Sequence, residues 1–246
     1  MPNLRNLVLH VGVPGTPVGD PERLFDKYPS VQRASFCVTD HLMWHLGSKV
    51  VLRGVSKLVL RTDPKVESLE QSAVEDMVSV KLLRIPFDLE AASELEGVEL
   101  KKKILDSTTE ALIWLAKREV LDGRPFRNAA DQARRENYQF GFYFKRGKSW
   151  KSSSKMKARI YLRYDWDRYD VIAEILEGRK VIGHKLLHST VPVEWPLPSL
   201  VRQLNWTLGG KLSLKTSDLS TFEKMTVTNS VKSLNDGAAT EFSRAD

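Results

Sequence analysis

The apolar period of the chain changes near residue 138, and that change constrains the fold more than any other feature. Upstream, Ile104, Leu105, Ala111, Leu112, Leu115 and Ala116 recur at steps of three and four, one stripe of a helix predicted over 100–121 and closed by Asp122-Gly123. Phe126, Ala129, Ala130 and Ala133 carry a second helix over 125–136. Then Tyr138, Phe140, Phe142 and Phe144 take every second position, which aligns them on one face of a strand. Rings prefer burial, so this row is expected to be the core face of a sheet rather than a platform for bases.

Strands are predicted on both sides of the helical pair. Upstream they fall at 6–11, 31–38 and 77–85, with a hairpin of 49–53 and 57–61 about Gly54. Asp20-Pro21 starts a helix that Pro29 must end, and 40–46 reads as one or two helical turns stopped by Gly47. Downstream, 158–164, 169–176 and 180–189 form an antiparallel meander, and 204–208 pairs with 211–215 about Gly209-Gly210. The expectation is an α+β fold, with largely antiparallel sheets packed against a central helical pair. Its regions would be 1–97, 98–234 and a flexible tail over 235–246, although 1–234 could also form one continuous body.

With 246 residues the chain can bury a core without disulfides, and the single cysteine, Cys37, could form none internally. A reducing, cytoplasmic setting is expected. No apolar run approaches the ~18 residues of a membrane-spanning helix, and the first residues lack the long apolar stretch of a signal peptide. No membrane partner is expected.

The net charge of +7 is confined to one place. Lys145, Arg146, Lys148, Lys151, Lys155, Lys157 and Arg159 stand together without an acid, and the rest of the chain is formally neutral, with 31 residues of each sign. Such a stretch is either a solvated loop or a concentrated field for an anionic partner. Trp150 in its middle favours a contact, because an indole in a loop packs or binds something. Lys145, Arg146, Lys148, Trp150, Lys151 and Lys155 are therefore the candidate partner-binding edge. An acidic protein surface is the favoured partner, and nucleic acid is the alternative.

Two histidine pairs share one spacing, His41-x-x-x-His45 and His184-x-x-x-His188. On a helix, the first pair shares a face and could grip one ion; on a strand, the second pair spans ~13 Å and could not. With one cysteine and no H-E-x-x-H, zinc at His41 and His45 is a minor expectation. Asp165, Asp167 and Asp170 crowd a turn, where Asp165 and Asp167 could hold the divalent ion of a nuclease, but no acid-x-Lys pair follows. There is no G-x-S-x-G, and Gly12-x-x-Gly15 is only half a phosphate loop. No complete catalytic constellation emerges and no cofactor is expected. The reading is a non-catalytic binding protein rather than an enzyme, in the style of a bacterial toxin-neutralising or defence-accessory protein, with a nucleic-acid binder or a metal-dependent nuclease at 165–170 as alternatives.

Overall fold

A computed structural model describes residues 4–12, 27–47, 50, 52, 54–144, 150–151, 156–192, 201–206 and 212–216. The predicted helix from Asp20 and the tail after Asn235 lie outside the described residues. The chain divides into two compact units. The first runs to Phe140 and takes in Tyr164–Tyr169; the second holds Gly141–Arg163, Asp170–Ser189 and the hairpin near the C-terminus.

The first unit is a four-stranded mixed sheet covered by helices. Strands β1 (Asn6–His10), β2 (Lys57–Thr62), β3 (Val74–Met77) and β4 (Val80–Ile85) stand in the order β1-β2-β4-β3. β1, β2 and β4 run parallel, and β3 returns antiparallel to β4. Their centres, such as Leu7, Leu9, Leu58, Leu60 and Leu83, are almost fully buried, as central parallel strands are. Among the described residues, the hairpin expected about Gly54 does not form. β2 pairs instead with β1 and β4, and only an isolated bridge joins Leu52 to Val55. The strand expected at 77–85 is the β3–β4 hairpin, turned through Val78 and Ser79.

Helix α1 spans Pro29–Leu46 and overturns the strand expected at 31–38. Pro29 occupies its first turn, where the missing N–H is harmless. Val31, Ala34, Val38 and Leu42 then fall at helical steps and are all buried. Gly47 ends it at φ 53°, a left-handed conformation that glycine takes without strain, and its N–H donates to Met43 O at 2.9 Å. A short helix α2 (Leu89–Ser93) precedes the two helices read from sequence, α3 (Gly97–Arg118) and α4 (Arg124–Arg135). The stripes predicted for both, including Ile104, Leu112, Leu115, Phe126 and Ala130, are buried, and α1, α3 and α4 pack on one another.

The second sheet comprises β5 (Phe140–Tyr143), β6 (Trp150–Lys151), β7 (Met156–Tyr164), β8 (Tyr169–Glu177) and β9 (Lys180–Thr190), in the order β5-β7-β8-β9 with β6 paired to β7. The short connections between β7, β8 and β9 make this the antiparallel meander that the sequence predicts. β10 (Val201–Trp206) and β11 (Leu212–Thr216) form the expected antiparallel hairpin. The α+β fold is the architecture expected from sequence, and in the first unit the sheet packs against the helices. Of the aromatic row, Phe140 and Phe144 are buried and Phe142 half-buried, as the core reading requires. Tyr138 instead sits before β5 in a turn at φ 58°.

Candidate metal centre

Helix α1 carries His41 and His45 one turn apart, so both imidazoles leave the same face. Their ring centroids lie 5.1 Å apart. Opposite them, Glu136 caps the C-terminus of α4. The two Nε2 atoms converge on one oxygen, Glu136 Oε2, at 2.7 Å from His41 and 2.9 Å from His45. Gln132, one turn earlier on α4, donates from Nε2 to Glu136 Oε1 at 2.9 Å and thereby fixes which oxygen faces the histidines. Arg135 in turn donates to Gln132 Oε1 at 2.8 and 3.2 Å.

The centre is graded from interior to solvent. The His41 side chain is 4% exposed, that of His45 17% and that of Glu136 36%. The His41 ring lies flat on Phe140, with centroids 4.8 Å apart and planes 12° from parallel, and Phe140 packs on Tyr164 in turn. Burial pushes the His41 imidazole below its ordinary value, which Glu136 only partly offsets, and so favours the neutral form, the form that ligates metals. Burial also pushes the Glu136 carboxyl up, but hydrogen bonds from Gln132, His41 and His45 outweigh it and hold the carboxyl below its ordinary value.

These three side chains are the one cluster among the described residues with the composition and proximity of a metal centre, their ligand atoms all lying within 4.8 Å of one another. Bond lengths of about 2.0–2.2 Å to a tetrahedral zinc ion place ligand atoms about 3.3 Å apart. The two histidine-to-carboxylate separations are shorter by about half an ångström, a displacement that the half-exposed Glu136 can make by side-chain rotation. Three protein ligands, with solvent on the carboxylate side, leave room for a further oxygen ligand.

The cluster corrects the expectation of a non-catalytic docking protein, and with it the expectation of no enzymatic role. Docking through a basic edge has no need for two imidazoles and a carboxylate gathered at a half-buried point, whereas metal chemistry does. Sequence reasoning identified His41 and His45 but missed Glu136, which lies 95 and 91 residues away from them and arrives on another helix. Weighing the zinc site by its lack of cysteines applied a rule for structural zinc; open sites need only three ligands, and nitrogen and oxygen suffice.

The carboxylates at 165–170 have other partners. Asp165 Oδ1 accepts from the buried Lys101 at 3.3 Å and from the N–H of Trp166 at 2.8 Å, which makes it a turn former. Asp170 is buried against Arg163 and accepts from Ser189 at 2.7 Å, while Asp167 is exposed. This charge balance leaves no metal cluster at that turn among the described residues. His184 lies on β9 and meets Glu174 rather than His188, as the strand spacing requires.

Lys145, Arg146, Lys148 and Lys155 of the predicted edge lie outside the described residues. Trp150 and Lys151 form β6, in register with Ala158 and Lys157 of β7. Among the described residues, no helix is long and apolar enough to cross a membrane. No known protein family, curated protein or solved structure matches the chain.

Proposed function

We propose that the protein is a metal-dependent hydrolase of nucleic acid, with His41, His45 and Glu136 as the ligands of one divalent transition-metal ion. The observation that carries this reading is the convergence of both Nε2 atoms on Glu136 Oε2. Glu136 also stands at the C-terminus of α4, the negative end of the helix dipole, where a second negative charge is unfavourable and a cation is welcome. Two imidazoles and a carboxylate suit zinc and its neighbours better than magnesium or calcium.

Such an ion would supply Lewis acidity toward a phosphoryl oxygen and an incoming water. The chain's own groups would hold it, with His41 clamped by Phe140 and Glu136 by Gln132. The concentration of the whole charge excess between Lys145 and Arg159 supports a polyanionic substrate. Lys145, Arg146, Lys148, Trp150, Lys151 and Lys155 would then serve to attract the substrate.

The test is metal uptake followed by activity. Wild-type protein should take up zinc, manganese or cobalt at one equivalent per chain by mass spectrometry and calorimetry. With the ion bound it should cleave oligonucleotides, and chelation should stop it. His41→Ala and Glu136→Gln should lose both properties while keeping the helical circular-dichroism signal. A folded wild-type chain that takes up none of these ions at micromolar concentrations sinks the reading.

A further inference from the structure

The second unit holds a cleft that the metal chemistry does not use. Alternation along β7 and β8 places Ala158, Ile160 and Leu162 with Val171, Ala173 and Ile175 on one fully buried face. Arg159, Tyr161, Ile172 and Glu174 point to the other face. There, with Tyr143 of β5 and with His184 and Leu186 of β9, the sheet forms a cleft of about 360 Å³, whose lining also includes Arg163, paired with the buried Asp170. We propose that this cleft binds one nucleobase carrying an exocyclic amine, presented by a single strand. The proposal rests on the nucleic-acid reading above and names its substrate class.

The polar end of the cleft is organised around Glu174, whose side chain is 10% exposed. Arg159 Nε donates to its Oε2; Tyr143 OH donates to Oε1 at 3.1 Å, and His184 Nε2 stands 3.3 Å from the same oxygen. A carboxylate offers about four acceptor positions. Three are engaged among the described residues, which leaves one for a donor entering the cleft. Arg159 also donates to Tyr143 OH at 3.0 Å and covers the Tyr143 ring at 4.1 Å, which fixes the phenol in place.

The apolar walls are equally built. The Tyr161 ring meets that of Tyr143 at 5.2 Å and 59°, and its hydroxyl lies over Gly141. A Cβ at residue 141 would stand 2.3 Å from that hydroxyl, so only glycine lets Tyr161 lie there. Ile172 and the half-exposed Leu186 complete the apolar lining. Aromatic and aliphatic walls with one free acceptor match a planar heterocycle with an amine. Adenine and cytosine present that amine where thymine and uracil present a carbonyl, which a carboxylate repels. A base can offer its exocyclic amine to Glu174 through the Watson–Crick edge only when that edge is unpaired, which selects unpaired strands.

The test uses the full chain in EDTA, so that the ion plays no part. Fluorescein-labelled oligodeoxycytidine and oligodeoxythymidine of about 12 nucleotides are compared by anisotropy. Cytidine strands should bind at least roughly tenfold tighter. Glu174→Gln should abolish the preference. Leu186→Asp, at an exposed position that leaves the fold intact by thermal melting, should weaken both strands roughly tenfold. Free deoxycytidine monophosphate separates the two sources of a base: affinity equal to the strand's assigns the cleft to free nucleotides, and weaker affinity assigns it to strands. Equal binding of the two homopolymers, or a Leu186→Asp protein that binds as wild type does, overturns the proposal. Metal uptake is read separately, so a chain that binds no ion but prefers cytidine strands sinks the hydrolase and keeps the cleft.

Discussion

His41 and Phe140 lie face to face, 4.8 Å between centroids and 12° from parallel, so the ring of a proposed metal ligand is oriented by a residue at the start of β5. Removing the benzyl group leaves a hole beside His41. Phe140→Ala should cost about 3–5 kcal/mol of stability and weaken ion binding. Phe140→Leu, which keeps most of the volume, should restore stability further than it restores affinity. Denaturation and calorimetry on the two variants separate packing from orientation; equal recovery of both would falsify an orienting role.

Gln132 holds Glu136 Oε1 and so leaves Oε2 for the histidines. Gln132→Ala should weaken the ion roughly 10–100-fold, the usual effect of losing a group that orients a ligand. The fold should change little, because Gln132 is half-buried at the end of α4. The absorption spectrum of bound cobalt would report the altered geometry directly.

Cys37 is buried on α1, and burial pushes its thiol up to about 12. It should resist iodoacetamide in the native state at pH 8 and react only on unfolding, so that labelling tracks global stability. The native thiol keeps its proton where the unfolded thiol, near pH 8.5–9, has lost it. Stability should therefore fall as pH rises above about 9, by about 1.4 kcal/mol per unit from this group until pH 12. Cys37→Ala should remove that part of the alkaline slope, measured by urea midpoints between pH 8 and 10.

Lys81 is 7% exposed and pairs with Glu119 at 2.8 Å and with Asp76 at 2.9 Å, joining β4 to the end of α3. Glu119→Ala leaves a buried ammonium with one exposed partner and should cost about 1–3 kcal/mol. Lys81→Met removes the charge and keeps the stem packing, so it should fall within about 1 kcal/mol of wild type. Thermal unfolding of both variants decides; a Lys81→Met protein worse than Glu119→Ala would contradict this account.

Gln32 is a buried clamp between α1 and the end of β1. Its Oε1 accepts from Val11 N–H at 2.8 Å, and its Nε2 donates to Leu9 O at 3.0 Å. Gln32→Leu has similar volume but strands the Val11 N–H, while Leu9 O keeps the Ser35 hydroxyl at 2.9 Å, so it should cost about 1–3 kcal/mol. Hydrogen exchange at Val11 should accelerate in the variant.

What could be read from sequence divides along the range of the forces. α3 and α4 each carry their own apolar stripe, and the meander carries its own turns, so their residues announce them locally. α1 was obscured because Val31, Phe36 and Val38 favour strands locally, while the buried steps from Val31 to Leu42 support a helix only once its packing against β1, α3 and α4 is known. The parallel pairing of β2 with β1 and β4 was hidden for the same reason, since parallel neighbours are joined by long crossovers. The metal centre splits in the same way. The histidine pair is a spacing within one helix, but Glu136 joins it only through the packing of α1 on α4.

That α1 bears both the imidazoles and much of the first unit's interior ties occupancy to cohesion. An ion seated between α1 and α4 would bind the native chain and not the random coil, where three ligands spread over 95 residues do not meet. Saturation at about a thousand times the dissociation constant would then add about 4 kcal/mol to the native state. Starvation for the ion would thus silence such a protein twice, by emptying the centre and by loosening the helices that assemble it.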